Sequence, residues 1–243
     1  MNTESTGMDH TYTQFDTDLQ RLRSASTTMA SLVERQVLRA VDAVLTEDLG
    51  RVAQVLADEA EVNRMHIQTD LLCNRMIARL QPIAVDLREI LAALHMNNDL
   101  ERIGDEAKKI ALKARLLGTR PLPIATERIG KMADIACDML RLAVDAYIRQ
   151  DPRVAVALNE RDREVDALRN ELTSELTAVM GATPASVSPA LALIFVVQSL
   201  ERVGDHATNI SEYVVTVVEG TDTRHSKASA SASATQRLLP ATR

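Results

Sequence analysis

The chain carries the sequence Leu-Glu-Arg-Ile-Gly-Asp at residues 100–105 and repeats it as Leu-Glu-Arg-Val-Gly-Asp at residues 200–205. A second match lies upstream, where Ala-Val-Asp-Ala occurs at residues 40–43 and again at 143–146. The offset between the copies is 100 residues for the first match and 103 for the second. A repeat on this scale indicates a duplicated structural unit. We therefore expect two copies, at residues 15–118 and 122–219.

The composition predicts an all-α fold. Aromatic residues make up 2% of the 243 residues, Trp is absent, and there are only 7 Pro and 8 Gly, so strand and turn formers are scarce. Turn-forming residues interrupt the first copy at residues 49–50 and 82, and the second at 151–152 and 181–184. Short connections favour antiparallel neighbours. We expect two tandem, pseudo-symmetric three-helix bundles built from six long antiparallel helices.

Both ends and the overall charge limit the classes of function. Residues 1–14 and 220–243 lack helical periodicity, so we predict disordered tails there, with the first helix beginning near Phe15. The net charge of −6 gives no basic surface for nucleic acid. No signal peptide is recognisable, and the longest apolar stretch, residues 189–197, is far shorter than the roughly 20 residues of a membrane span. We expect a cytoplasmic protein.

The third helix of each copy combines an apolar stripe with a separate acidic face. Glu101 and Asp105 lie four residues apart and share a face away from the stripe, as do Glu201 and Asp205. Apolar residues at alternating spacings of three and four predict the core side of a helix. The predicted core positions are Leu100, Ile103, Ala107, Ile110, Ala114 and Leu117, and Leu200, Val203, Ala207, Ile210, Val214 and Val217.

In the second helix of each copy, polar residues interrupt the apolar stripe itself. Glu59 and Asn63 do so in the first copy, and Asp162 and Asp166 correspond to them in the second. Like charges one turn apart on a helix repel and lower its stability slightly. An unpaired carboxylate in an apolar stripe lowers the stability of the fold more, because it is removed from water. A hard cation such as Mg²⁺, Ca²⁺, Mn²⁺ or iron would offset both costs, whereas a solvated acidic surface is the simpler alternative. The predicted metal ligands are Glu59, Asn63, Glu101, Asp105, Asp162, Asp166, Glu201 and Asp205.

Four further residues are possible members of these sites. His66 and Asp70 follow Asn63 on the second helix, although Arg169 stands at the position of His66 in the second copy. Arg102 and Arg202 either pair with the neighbouring acids or hold an anion near the metal.

Three more features of the third helices give structural expectations. His206 is expected at the surface, and His95 is expected to pack or to form a hydrogen bond. Gly104 and Gly204 each cost about 1 kcal/mol relative to Ala inside a helix, so we expect a backbone or a ligand to approach closely there.

The sequence Gln-Pro-Ile-Ala-Val-Asp-Leu-Arg at residues 81–88, followed by Asn-Asn-Asp-Leu-Glu-Arg-Ile-Gly-Asp at 97–105, resembles the PhoU family of accessory and regulatory proteins of bacterial phosphate-specific transport. Leu-Glu-Arg-Val-Gly-Asp-His-Ala at 200–207 fits the same pattern, and the resemblance covers about residues 12–220. It implies two three-helix bundles whose Glu/Asp-x-x-x-Asp motifs bind metal clusters, of iron or zinc in some members.

Carried over by position, the family motifs fall on Glu101/Asp105, Glu201/Asp205 and Asp162/Asp166, whereas Asn63 departs from the pattern beside Glu59 and removes one charge from the first site. The second copy also lacks the Asp-Leu-Arg of residues 86–88, so the two bundles need not act alike.

The resemblance implies regulation rather than catalysis. A protein of this family couples the ATPase of the phosphate ABC importer to the phosphate-sensing histidine kinase, and it keeps the phosphate regulon off when phosphate is plentiful. The resemblance also implies a homodimer or larger assembly, a bound Fe, Zn, Mn or Mg ion, and membrane contact only through partner proteins.

Two alternatives remain open at this stage. One is a metal-free helical scaffold whose acidic face docks a basic partner. The other is a carboxylate-bridged dimetal oxidase, but such bundles carry Glu-x-x-His on two helices, and no matched pair of this kind occurs here. A Walker-type phosphate loop and an assignable Ser/His/Asp set are also missing, so we do not expect an enzyme.

Overall fold

The computed structural model describes residues 4–117, 122–124 and 126–220. These residues form six α-helices and one short 3₁₀ helix, and they contain no strand. The helices are α1 (Glu4–Thr46), α2 (Leu49–Leu80), α3 (Ala84–Leu117), α4 (Glu127–Arg149), α5 (Val154–Ala182) and α6 (Val187–Glu219), with the 3₁₀ helix at Pro184–Ser186. The predicted all-α fold of six long helices is confirmed.

The helices pack as two bundles that share a long interface. Helices α1, α2 and α3 contact one another, as do α4, α5 and α6. The bundles meet where α3 lies against α6 and, less extensively, where α1 lies against α4. The twelve predicted core positions on α3 and α6 are all buried, which confirms the apolar stripes. This packing places α2 and α5 on opposite flanks, each beside one acid-bearing helix of the central pair.

Helix α6 is the most apolar of the six. The segment Pro184–Glu219 is long and apolar enough to span a membrane by composition, with a mean hydropathy of 1.3 in its best window. Half of that window is buried inside the protein, as in the core helix of a helical bundle.

The N-terminal helix begins earlier than the sequence predicts. Helix α1 begins at Glu4 rather than near Phe15, so the prediction of a disordered tail over residues 1–14 is wrong for residues 4–14. Extending an existing helix adds one hydrogen bond per residue without a new nucleation cost, so helix can continue where amphipathic periodicity has stopped. Residues 1–3 and 221–243 of the predicted tails lie outside the described residues.

The interface between α3 and α6 contains a buried acid that pairs across it. Asp99 is 4% exposed, and its Oδ1 lies 2.7 Å from Nδ1 of His206 and 3.5 Å from Nδ2 of Asn209. The expectation that His206 lies at the surface is therefore wrong. The His206 side chain faces α3, which the sequence did not indicate because it depends on how the two bundles pack.

A second buried acid occupies the pseudo-symmetric position in the same interface. Glu106 corresponds to His206 in the repeat, and its partner Ser199 corresponds to Asp99. Burial opposes the ionisation of Glu106, but hydrogen bonds from Lys109 and Ser199 and the charge of Arg202 outweigh it, so its pKa is lowered. The two pseudo-symmetric contacts have thus diverged. One contains the carboxylate of Asp99 opposite His206, and the other contains the carboxylate of Glu106 opposite Ser199.

Candidate functional site

The predicted ligands form two groups, one in each bundle. We call Glu59, Asn63, Glu101 and Asp105 the first cluster, and Asp162, Asp166, Glu201 and Asp205 the second cluster. Each cluster joins a flanking helix, α2 or α5, to a central helix, α3 or α6.

Glu59 is the buried centre of the first cluster. It is 4% exposed, and three side chains direct N–H groups towards its carboxylate. Gln36 Nε2 donates to Oε2 at 3.1 Å, Asn63 Nδ2 donates to Oε1 at 3.3 Å, and Lys108 Nζ lies 3.7 Å from Oε1. The carboxylate therefore has donors on both of its oxygens without any bound ion.

Asp105 on α3 faces Glu59 and affects its ionisation. Burial is the main cause that raises the pKa of Glu59, and the negative charge of Asp105 adds to it. The hydrogen bond from Gln36 and the charge of Lys108 act in the opposite direction without cancelling the rise. Glu101 contacts Arg102 instead, with Oε2 at 3.6 Å from Nε.

Gly104 allows the first cluster to pack this closely. A Cβ at this position would lie 3.2 Å from Gln36 Oε1, 3.2 Å from Glu59 Oε2 and 3.3 Å from Val62 Cγ1. The expectation of a close approach is confirmed here. It is not confirmed at Gly204, where the nearest atom, Met139 Cε, would lie at an ordinary 3.5 Å.

The second cluster is organised around Asp205, which is surrounded by negative charge. Its pKa is raised to about 6 by partial removal from water, then by the charges of Glu201, Asp162 and Asp166. Among the described residues, Asp205 forms no hydrogen bond or ion pair. Asp205 therefore faces mainly other carboxylates, whereas Glu59 in the first cluster accepts hydrogen bonds from two amides.

Arg169 supplies the positive charge beside the second cluster. Its Nη2 donates to Asp166 Oδ1 at 3.0 Å, and its Nε lies 3.8 Å from Glu201 Oε1. Asp166 is 48% exposed and Glu201 25% exposed, and Arg169 Nε is itself buried. Arg169 thus pairs with Asp166 and Glu201, whereas among the described residues the positive group that acts on the pKa of Asp205 is His206.

The raised pKa of Asp205 predicts an unusual dependence of stability on pH. The folded protein binds this proton more tightly than the unfolded chain, whose Asp pKa is 3.8, so the free energy of unfolding should rise as pH falls from about 7.5 through 6 to about 5. Asp205→Asn should reduce this slope and stabilise the protein at neutral pH. Urea denaturation across that pH range tests both effects, and equal slopes for the variant and the wild type would contradict the prediction.

The additional candidates have mostly local partners. His66 Nε2 lies 3.7 Å from Asp70 Oδ2, one turn along α2. Arg202 reaches Glu106 of the other bundle, with Nη1 at 3.4 Å from Oε1, rather than a neighbouring acid. His95 stacks on Tyr213 with ring centroids 5.1 Å apart, as the packing expectation requires.

Sequence reasoning missed Gln36 and Lys108, the two donors that reach Glu59 from α1 and α3. A signal was available, because the repeat places Met139 and Thr208 at the corresponding positions. Comparing the two copies position by position would have shown that only the first copy has donors at the positions of Gln36 and Lys108.

The two clusters differ in how well they suit a metal ion. Among the residues that the structure describes, no three His, Cys, Asp or Glu side chains converge closely enough to ligate one ion. The second cluster has four carboxylates from two helices and could bind a hard cation after side-chain rotation. In the first cluster, Gln36 and Asn63 donate to the two oxygens of the buried carboxylate, and the Lys108 ammonium lies 3.7 Å away, so its residues fit a metal ion less well.

The fold and these clusters define a class of protein: a duplicated three-helix bundle with paired carboxylates on facing helices. The family model described as the PhoU domain matches residues 27–114 and 129–214, one match in each bundle. The chain therefore belongs to the PhoU family.

Relatives and solved structures agree with this assignment. The phosphate-specific transport system accessory protein PhoU homolog of Pseudomonas putida is 40% identical over 217 residues, covering 89% of this chain and 85% of the relative. The crystal structure of PhoU from Pseudomonas aeruginosa has 37% identity and a TM-score of 0.81, covering 85% of this chain and 100% of that chain. A phosphate transport system regulatory protein PhoU from Streptococcus pneumoniae shares the fold, with a TM-score of 0.80 at 24% identity, covering 86% of this chain and 98% of that chain.

Proposed function

We propose that this protein is a non-enzymatic regulator of phosphate uptake and of phosphate-regulon signalling. The observation that carries the proposal is the PhoU domain present twice, once in each bundle, together with relatives described as phosphate-specific transport accessory proteins. In this proposal the protein acts in the cytoplasm as a homodimer or larger assembly. It couples the ATPase of the phosphate ABC importer to the phosphate-sensing histidine kinase and keeps the regulon off when phosphate is plentiful.

An adaptor of this kind needs surfaces for protein partners, and the central helices offer one. Exposed apolar side chains lie on α3 at Leu112 and Leu116 and on α6 at Leu191 and Phe195. Lys113 Nζ lies 4.4 Å from the centre of the Phe195 ring, so the exposed parts of α3 and α6 are in contact there. Grouped exposed apolar side chains are typical of protein interaction sites, which supports a docking role.

Metal binding at the second cluster is part of the proposal. A bound Fe, Zn, Mn or Mg ion would add positive charge to a cluster in which Arg169 alone, among the described residues, pairs with Asp166 and Glu201. Asp162 and Asp166 would hold it from α5, and Glu201 and Asp205 from α6. Because the ligands come from two helices, binding would stabilise the folded second bundle.

Deleting the gene in the cell that encodes this protein tests the regulatory role. Output of a phosphate-regulon promoter in phosphate-rich medium should rise several-fold, because the inhibitory signal to the kinase is lost, and the wild-type gene supplied in trans should restore repression. Reporter activity measured in high and low phosphate provides the comparison. Unchanged output in high phosphate would contradict the regulatory role.

A metal-free scaffold that docks a basic partner is the second candidate. Its support is the exposure of the acidic groups, since Asp166 is 48% exposed and Asp205 makes no ion pair among the described residues. The two candidates differ in one measurable property. Metal analysis of the purified protein before and after chelation favours the scaffold if no ion is bound.

A further inference from the structure

We infer that the first cluster of this chain is not a metal site, because the Lys108 ammonium takes the place of a bound cation, and that metal binds at the second cluster alone. The second half of this inference rests on the proposed metal binding. The first half stands on the contacts of Glu59 and can be tested separately.

Hydrogen bonds from two buried or half-buried amides reach both oxygens of Glu59, so an ion would have to compete with them for the carboxylate. A ligand oxygen must direct a lone pair at the metal, but Oε2 accepts from Gln36, and Oε1 faces Asn63 and Lys108. Gln36 is fully buried and also donates to the backbone carbonyl of Val55 at 3.2 Å, which fixes its amide in this orientation. With Glu59 at 4% exposure, an incoming ion would have to displace a packed and hydrogen-bonded group.

Asn63 stands where the family motif has an acidic residue, and this replacement is unfavourable for metal binding. Its Nδ2 donates to Glu59, so its Oδ1, the only atom able to ligate a hard ion, points away from that carboxylate. Rotating the amide by half a turn would place Oδ1 against a carboxylate oxygen, with two acceptors facing each other. The orientation that satisfies Glu59 is therefore the one that cannot bind a metal there.

The second cluster lacks every one of these donors. The repeat aligns the helices closely, because Gln36 and Val62 lie beside Gly104 just as Met139 and Val165 lie beside Gly204. The Thr208 hydroxyl, at the position of Lys108, is buried and has no hydrogen-bond partner among the described residues. The three donors are replaced as follows: Gln36 by Met139, Asn63 by Asp166, and Lys108 by Thr208.

The charges of the two clusters follow the same division. The first cluster has three acids beside Lys108, and the second has four acids beside Arg169. Lys108 lies beside the buried central acid of its cluster, whereas Arg169 pairs with Asp166 and Glu201, and Asp205 forms no ion pair among the described residues. The two copies thus differ: the buried acid of the first cluster has a lysine beside it, and the second cluster has one more carboxylate and no lysine at that position.

Binding of Mn²⁺ to the full-length, chelator-treated protein tests the inference. Bound Mn²⁺ per chain is measured by elemental analysis after equilibrium dialysis. Asp205→Asn should remove the bound Mn²⁺, and Asp105→Asn should leave it unchanged. The double variant Lys108→Met/Asn63→Asp should about double the bound Mn²⁺, because it removes the internal cation and restores the motif acid. Lys131→Met, on an exposed position of α4, is the matched control and should change nothing.

Three outcomes decide the inference. Loss of Mn²⁺ in Asp105→Asn, with its circular dichroism unchanged, would overturn it, because the first cluster would then be a ligand set. No added Mn²⁺ in a folded Lys108→Met/Asn63→Asp protein would overturn the role of Lys108. If the wild type binds no Mn²⁺, the proposed metal binding fails, and a gain in the double variant would still support the internal cation.

Discussion

Replacing Arg23 with methionine should lower the free energy of unfolding by about 3 kcal/mol. Arg23 on α1 binds Glu89 on α3 through both Nε and Nη2, and the Nε–Oε1 distance is 2.6 Å. Glu89 is 5% exposed, so without the guanidinium its negative charge would be buried and unpaired. Breaking a buried pair in this way is strongly destabilising, even though the intact pair adds little net stability.

Tyr147 is the other polar group close to Glu89. This residue of α4 is 4% exposed, and its hydroxyl has no hydrogen-bond partner among the described residues. Burial raises the pKa of its phenol, and the nearby charge of Glu89 adds to the rise while Arg23 opposes it. Without Arg23, this phenol could donate at most one hydrogen bond to Glu89, and it carries no positive charge to balance the carboxylate.

Urea denaturation at neutral pH measures this effect, with two variants to interpret it. Arg149→Met is the matched control, because its pair with Asp145 is exposed on both sides, and its effect should stay below about 0.5 kcal/mol. The double variant Arg23→Met/Glu89→Met should recover most of the loss, since no unpaired charge is left. Equal decreases in the free energy of unfolding for Arg23→Met and Arg149→Met would contradict the prediction, because burial of Glu89 would then have no effect.

The sequence determines the helices and their buried faces because these depend on local spacing. The stripe from Leu100 to Leu117 and its copy were predicted residue by residue, and all of these positions are buried. Glu59 could be identified as exceptional for the same reason, since a carboxylate within an apolar stripe needs a partner.

Contacts between distant helices could not be predicted in this way. Which side chain meets Glu59, Asp99 or Glu89 depends on how α1, α3 and α6 face one another, and periodicity contains no such information. From the sequence alone, Lys108 therefore could not be distinguished from an exposed lysine, nor His206 from a surface histidine. The repeat itself is the exception, because differences between its copies mark where the two sites have diverged.

Gly104→Ala and Gly204→Ala should change stability in opposite directions, although the two glycines are equivalent in the repeat. Alanine is favoured over glycine in a helix by about 1 kcal/mol, so Gly204→Ala should stabilise the protein by about that amount. The added methyl group there meets only the flexible end of Met139 at ordinary contact distance.

At Gly104 the same methyl group would be placed against the first cluster. Gln36 and Val62 are fully buried, and Gln36 is held by hydrogen bonds to Glu59 and to Val55, so neither can move aside without breaking contacts. Inserting a methyl group into such packing costs about 1–3 kcal/mol, which exceeds the gain in helix propensity. Thermal and urea unfolding should therefore show a higher free energy of unfolding than the wild type for Gly204→Ala and a lower one for Gly104→Ala. Stabilisation by Gly104→Ala would mean that the donors around Glu59 are mobile, and it would weaken the case for a cluster closed by its own side chains.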